Sequence, residues 1–200
     1  SYTVTATDVD VGDTLTMTGT TVPSWLTFDA TTGILAGTPL NANVGANSVV
    51  ITINDGTVDV TDTFTITVAN TNDAPTFTST AVTAVDEDAA YSYTAAASDD
   101  DGDTVTLVGT TIPAWMTFDA TTGALTGTPT NAEVGSHTVV ITATDTNSAS
   151  TAQTFTVVVA NTNDAPVVTS TAVTAVDEDA AYSYTVTATD VDVGDTLTMT

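Results

Sequence analysis

Seven carboxylates fall within an 18-residue stretch of this chain, at Asp86-Glu87-Asp88 and at Asp99, Asp100, Asp101 and Asp103 around Gly102. Glu133, Asp145 and Asp164 follow at wider spacing. These acids border segments of alternating apolar and threonine residues, which places them at the ends of expected strands rather than in their middles. Oxygen is the only hard donor on offer, since there is no cysteine and His137 is the single histidine. Clustered carboxylate oxygens without nitrogen or sulfur suit Ca²⁺, which takes about six to eight of them, better than Mg²⁺, which keeps its waters. Plain solvation of loops is the bland alternative, but it needs no fixed spacing and lysine would serve it equally well. Paired carboxylates can also hydrolyse glycosides. Here they lie in loops without a cleft-forming insertion, no Ser–His–Asp set recurs, and no helix is expected whose N-terminus could hold an oxyanion. The chain reads as non-enzymatic.

The rest of the composition narrows the choice further. The 200 residues carry 25 acidic side chains against no lysine and no arginine, a formal charge of −25 at pH 7. A chain without basic side chains cannot neutralise a phosphate backbone, so nucleic acid is excluded as a partner. The phosphate-gripping lysine of a P-loop and an arginine clamp for carboxylates are missing as well. Absence of cysteine removes disulfides, thiolate zinc sites and thiol catalysis. Absence of lysine also removes Lys–Asn isopeptide cross-links. With no internal cation, repulsion among the acids opposes the compact state unless salt screens it or bound metal ions neutralise it. An apolar share of 42% is too high for a disordered acidic tail. The longest unbroken apolar run, Val157 to Ala160, is far too short to insert in a membrane.

Internal repetition organises the chain. Asn70-Thr71-Asn72-Asp73-Ala74-Pro75 returns 91 residues later as Asn161-Thr162-Asn163-Asp164-Ala165-Pro166. Pro23-Ser24-Trp25-Leu26-Thr27-Phe28-Asp29 returns 90 residues later as Pro113-Ala114-Trp115-Met116-Thr117-Phe118-Asp119. Ser1–Thr18 is identical to Ser183–Thr200. Three units follow: 1–73, a repeat lacking its first strand; 74–164, a complete repeat; and 165–200, the N-terminal part of a third. The opening of the third unit matches the first better than the second, as in an alternating two-type array. Both ends fall in mid-repeat, which reads as a window on a longer array.

Within each unit the apolar period is two, the signature of half-buried strands. Phe64, Ile66 and Val68 alternate with Thr63, Thr65 and Thr67, and Val139, Ile141 and Ala143 with Val140, Thr142 and Thr144. Threonine suits the outer face because its branched β-carbon fits a pleated strand and its hydroxyl stays hydrated. In the complete unit strands are expected near 77–85, 90–97, 104–110, 115–118, 124–128, 137–144 and 152–160, with Gly, Pro, Asn and Asp between them. Seven short strands per repeat suit an all-β immunoglobulin-like sandwich. Trp25 and Trp115 precede alternating segments and fit the core tryptophan of such a sandwich better than a sugar-stacking platform. His137 has Asn47 at the matching position of the first unit, so a structural role at a strand end is expected of it.

Taken in order, Tyr-Ser-Tyr-Thr, Ala-x-Asp-x-Asp-x-Gly-Asp, Pro-x-Trp-Leu/Met-Thr-Phe-Asp, Thr-Gly-x-Leu-x-Gly-Thr-Pro and Asn-Asp-Ala-Pro resemble the dystroglycan-type cadherin-like repeats, bacterial Ig-like modules of large secreted adhesins and polysaccharide-active proteins. The resemblance covers the whole chain. It implies tandem immunoglobulin/cadherin-like Greek-key β-sandwiches, with calcium between successive domains as in cadherin relatives. Carried over by position, it assigns Asn70, Asn72, Asp73, Asp99, Asp101 and Asp145 to the first junction. It assigns Glu87, Glu133, Asn161, Asn163, Asp164, Asp190 and Asp192 to the second. The linker departs from the cadherin pattern: Asn70 and Asn161 stand where that pattern has Asp, and Ala74 and Ala165 where it has Asn. Asn43 replaces the counterpart of Glu133. Fewer charged ligands imply weaker or fewer ions.

The resulting expectation is a structural spacer of a giant extracellular adhesin or fibre on a bacterial surface, stiffened by Ca²⁺ at its linkers. Its partners are then neighbouring repeats and identical chains in a fibre. A carbohydrate-binding array that recognises cell-surface polysaccharide through Trp or Thr faces is the alternative, with repetition supplying avidity.

Overall fold

The computed structural model describes every residue except Val11 and Val193, so the fourth position of each Asp-Val-Asp-Val-Gly-Asp loop lies outside the described residues. The chain divides into two compact units, Ser1–Asp73 and Ala74–Thr200.

In the first unit the strands are β1 (Tyr2–Thr3), β2 (Thr16–Thr21), β3 (Leu26–Asp29), β4 (Ile34–Gly37), β5 (Gly45–Asn54) and β6 (Asp59–Val68). They form two sheets, ordered β1-β4-β3 and β2-β5-β6. Val4, Leu35, Val49 and Ile51 are buried between them, and Met17, Phe28, Phe64 and Ile66 close the cluster. Along β6 the odd-even pattern is as expected, with Phe64, Ile66 and Val68 turned inward and the intervening threonines exposed.

The second unit begins with β7 (Thr76–Phe77), β8 (Ala84–Asp86), β9 (Tyr91–Thr94) and β10 (Ala97–Ser98). It continues with β11 (Thr106–Thr111), β12 (Met116–Asp119), β13 (Ala124–Gly127), β14 (Gly135–Thr144) and β15 (Ser150–Ala160). A four-stranded sheet β11-β14-β15-β8 faces a three-stranded sheet β12-β13-β9, with β7 and β10 paired beside them. Val139, Ile141, Leu125 and Val157 are fully buried in the core they share with Tyr91, Tyr93 and Met116. Burying each such branched or aromatic side chain contributes roughly 1.5–3 kcal/mol. The third repeat adds β16 (Val167–Val168) and β17 (Ala188–Thr189), an antiparallel pair.

Two expected strands are each divided. The stretch expected at 77–85 is β7 and β8, because the chain changes partners midway: Phe77 pairs with Ala97 on β10, whereas Ala84 lies parallel to Val158 on β15. The stretch expected at 90–97 is β9 and β10 for the same reason, with β9 bonded to β13 and β10 to β7. Neither switch of partner alters the side-chain alternation, so periodicity does not reveal it.

One close approach fixes glycine at 127. A Cβ there would run into the backbone carbonyl of Trp115, and Gly37 stands in the same relation to Trp25. Trp115 itself packs against the core and meets Tyr91 edge-to-face at 6.0 Å.

Candidate metal centre

Three carboxylates from distant parts of the second unit converge: oxygens of Glu87, Asp164 and Asp192 lie within 4.8 Å of one another. Glu87 follows β8, whose parallel pairing with the end of β15 continues as a bond from the Glu87 N–H to the Ala160 carbonyl at 2.9 Å. That pairing carries Glu87 to the exit of the repeat. Asp88 next to it adopts a left-handed φ of 59°, which Asp tolerates better than most residues, and its N–H bonds the Pro129 carbonyl. Asp164 ends the Asn-Thr-Asn-Asp linker. Asp192 comes from the first loop of the third repeat, where its N–H bonds the Asp190 carboxylate at 3.0 Å in an Asx turn. The same turn recurs as Asp10 on Asp8 and Asp101 on Asp99, both at 2.8 Å.

Neutral donors hold the cluster without offsetting its charge. The Asn131 amide donates to Asp192 Oδ1 at 2.9 Å, and the Asp164 N–H donates to Asp192 Oδ2 at 2.6 Å. The Thr162 N–H donates to Glu87 Oε1 at 2.5 Å. Glu87 Oε2 is buried and accepts no hydrogen bond, and the residue as a whole is only 3% exposed. Two unit charges 4.8 Å apart repel by about 3.5 kcal/mol at an effective dielectric near 20. The chain contains no Lys or Arg to oppose that repulsion. An oxygen-only, anionic, partly buried cluster with an unused carboxylate oxygen fits a hard divalent cation such as Ca²⁺.

The other expected ligands are placed as follows. Asn161 Oδ1 receives the Asn131 amide at 3.5 Å, beside the cluster. Asn163 donates to the Asp164 carbonyl at 2.8 Å, bracing the linker from within. Asp190 groups with Asp192 and Asp195. Glu133 is not among the three converging carboxylates. Its Oε2 accepts from the Thr130 N–H and hydroxyl, capping the short 3₁₀ turn Asn131–Glu133, and these bonds hold its carboxyl below the usual range. At the opposite end of the complete repeat, Asp99 Oδ1 accepts from the Asp101 and Asp103 N–H groups while its Oδ2 is buried without a partner. Asp145 Oδ1 accepts from the N–H groups of Asn147 and Ala149, at 2.8 Å each. In the first unit, Asp73 Oδ2 accepts from the Asn41 amide at 3.3 Å and Asn72 donates to the Asp73 carbonyl. Asn70 lines a shallow pocket there with Asn41 and Asp73.

Asn131 was not expected from ligand chemistry. Its signal is repetition: Asn41-Ala42-Asn43-Val44-Gly45 and Asn131-Ala132-Glu133-Val134-Gly135 share the asparagine, and each points its amide at an acid. His137 occupies the structural place expected of it. Its Nε2 lies 2.6 Å from the Glu133 carbonyl, just as the Asn47 amide donates to the Asn43 carbonyl at 2.8 Å.

Comparison with known proteins agrees with this architecture. A serine-rich adhesin for platelets from Staphylococcus aureus is 35% identical over 144 residues, covering 68% of this chain and 6% of that protein. The chain spans only 6% to 10% of the length of such relatives. The crystal structure of human CDH23 EC21-23 overlays on 96% of this chain and 78% of its own, with 22% identity and a TM-score of 0.56, which shows a cadherin-like fold. An endo-fucoidan hydrolase, MfFcnA4, aligns over 76% of this chain and 24% of its own at 29% identity; its TM-score of 0.40 is too loose to carry anything across. Residues 1–69 and 74–160 each match the model described as "Putative Ig domain", and the chain therefore belongs to that Ig-like family.

Proposed function

We propose that this chain is a spacer of a bacterial cell-surface adhesin, in which Ca²⁺ locks one repeat to the next. The carrying observation is the unpartnered, buried Glu87 Oε2 inside a three-carboxylate cluster that spans two repeats of a chain devoid of basic side chains. Glu87 and Asp164 would hold the ion from the complete repeat and its linker, and Asp192 from the repeat that follows. Asn131 orients Asp192, and Thr162 orients Glu87. The ion supplies the positive charge that turns mutual repulsion into a cross-link and stabilises the ordered linker by mass action. By repetition in sequence, the proposal extends to Asn70, Asn72, Asp73, Asp99, Asp101 and Asp145 as ligand candidates. Glu133, Asn161, Asn163 and Asp190 support the second set from its margin.

Similarity to adhesins supports a location at the cell surface, and among the described residues no helix is long and apolar enough to cross a membrane. The non-enzymatic reading rests on the same relatives and on the Ig-like family. For the carbohydrate-binding alternative, Trp faces would have to be open, whereas Trp115 is packed on the core.

Calcium titration by calorimetry, paired with small-angle scattering, tests the proposal. The expected result is saturable binding that is lost in Glu87→Gln, with a narrower, longer particle in Ca²⁺ than in chelator. Absence of binding heat together with superimposable scattering profiles would overturn it.

A further inference from the structure

The two outer faces of the complete repeat differ in kind. On the sheet β11-β14-β15-β8 the even-numbered positions point to solvent, because the odd-numbered Val139, Ile141, Val157 and Val159 are buried. Cross-strand pairing sets the outward side chains in rows. Val108, Thr142 and Ala152 form one, Thr138 and Thr156 another, and Ser136, Val158 and Ala84 a third. Val108 and Val158 are 56% and 46% exposed. The complete repeat carries eleven acids, nine Asp and two Glu, yet among the outward positions of these four strands only Asp86 is acidic, at the corner on β8. The opposite outer face, on β12-β13-β9, has Thr117, Thr126 and Ser92 in a row, with Asp119 close by and no valine.

The repeats differ most tellingly on the first of these faces. Val108, Ala152 and Val158 stand where the first unit has Thr18, Thr61 and Thr67, and Ser150 stands where it has Asp59. Three exchanges remove a hydroxyl and one removes a charge, all on the same side of the same sheet. The reverse exchange, Ser136 against Ala46, lies at its margin. Polar groups that remain are partnered within the sheet. The Thr110 and Thr142 hydroxyls bond each other at 2.8 Å, and the Thr106 hydroxyl donates to the Thr144 carbonyl at 3.1 Å. Covering them therefore leaves them satisfied, which keeps the desolvation cost of a contact low.

We propose that this face is a self-docking surface whose occupant is the same face of a second copy of this chain. Electrostatics selects the occupant. Each copy carries a formal charge of −25 with no basic side chain, so two copies repel wherever acids meet acids. The valine–threonine face is where they can touch without opposing carboxylates. Packed sheets lie about 10 Å apart, which keeps the acids at the strand ends of one copy beyond a screening length of about 8 Å from those of the other in about 0.15 M salt.

The available area fits a weak pair. Strands β14 and β15 are ten and eleven residues long. With strands about 4.8 Å apart and a rise of about 3.3 Å per residue, the face covers roughly 500 Å² on each copy. Roughly 1,000 Å² in total stands at the threshold of a specific interface. Because both partners use the same patch, the pair closes at two chains. The contact contains no cation, so it is separate from the calcium reading and persists in chelator.

Sedimentation velocity of the 200-residue chain over a range of concentrations tests this, in chelator and about 1 M salt, where the screening length is near 3 Å. Wild type should pass reversibly from the 20.2 kDa of one chain toward twice that mass and no further. Val108→Asp and Val158→Asp, each checked for folding by circular dichroism, should weaken pairing about tenfold or more, because each places a charge in the contact. Thr126→Asp adds the same charge to the opposite face and should leave pairing unchanged. A wild-type chain that stays single at every concentration would overturn the inference. Valine variants that pair like wild type, or a Thr126→Asp that weakens pairing as much as they do, would overturn it equally. A chain that stays single yet binds the neutral glucan dextran, and loses that binding in Val108→Asp, would assign the face to sugar instead.

Discussion

Asn131 donates its side-chain amide to the Asp192 carboxylate at 2.9 Å, joining residues 61 apart in sequence and in different repeats. A neutral donor fixes the carboxylate's orientation but leaves its charge unopposed. The complete repeat thus presents its neighbour's acid to Glu87 and Asp164 in a fixed pose, and the position of the cluster follows from that bond. Asn131→Ala should weaken the junction by about 1 kcal/mol, the usual net contribution of one hydrogen bond, measured by denaturant unfolding. Asn131→Asp should destabilise the chain further in chelator and be rescued by Ca²⁺, since a fourth carboxylate adds repulsion without the ion and a ligand with it. A variant equally stable with and without the ion would contradict this.

Calcium should raise the melting temperature by an amount that grows with the logarithm of its excess over Kd. A hundredfold excess stabilises by about 2.7 kcal/mol if the ion binds only the folded state. Asp192→Asn, which keeps the shape but removes a charge and turns one of the two accepting oxygens into a donor, should reduce calcium affinity about tenfold or more, equivalent to about 1.4 kcal/mol. Glu133→Gln, whose side chain caps a turn outside the cluster, should change affinity far less. Calorimetric titration of the two variants side by side decides between these ligand sets.

Alkaline titration should expose one buried phenol. Burial, with Tyr93 adding to it, pushes Tyr91 up to about 12 from its ordinary 10.0. A folded-state value above the unfolded one favours the protonated phenol in the native chain. Its contribution to stability is therefore complete below pH 10 and is lost as pH rises from 10 through about 12. Tyr2 shifts in the same direction because its hydroxyl donates to Asp62. Tyrosinate absorbance should show one group ionising late, together with unfolding, and Tyr91→Phe should remove that step.

Asn47→Ala should destabilise the first unit by about 1–3 kcal/mol, because it leaves the partly buried Trp25 indole N–H and the Asn43 carbonyl without their partner. In the second unit His137 meets the matching carbonyl but Trp115 Nε1 has no hydrogen-bond partner. Asn47→His should accordingly cost less than Asn47→Ala. Urea unfolding followed by tryptophan fluorescence compares the two directly.

Trypsin should leave the chain intact even after unfolding, since the protease needs Lys or Arg and the sequence contains neither. Gly127→Ala, by contrast, should make the chain sensitive to proteases that cut at apolar residues. The added methyl meets the Trp115 carbonyl, and the backbone of β13 must shift to admit it. Mass spectrometry after parallel digestion checks both outcomes.

Alternation of threonine with Val, Ile and Phe was enough to read an all-β repeat, and the count of charges was enough to show that any cation must come from outside. Both are properties of neighbouring residues or of composition, so they need no tertiary context. The repeats also located the acids at strand ends. Which acids meet is another matter: Glu87, Asp164 and Asp192 converge while Glu133 turns back to cap its own turn, although Asp164 is as much the lone acid of its loop as Glu133 is. The first strand's change of partner from β10 to β15 decides this, because it carries Glu87 to the exit of the repeat. Convergence of atoms from residues far apart depends on packing geometry finer than a strand's period of two, and only the folded chain determines it.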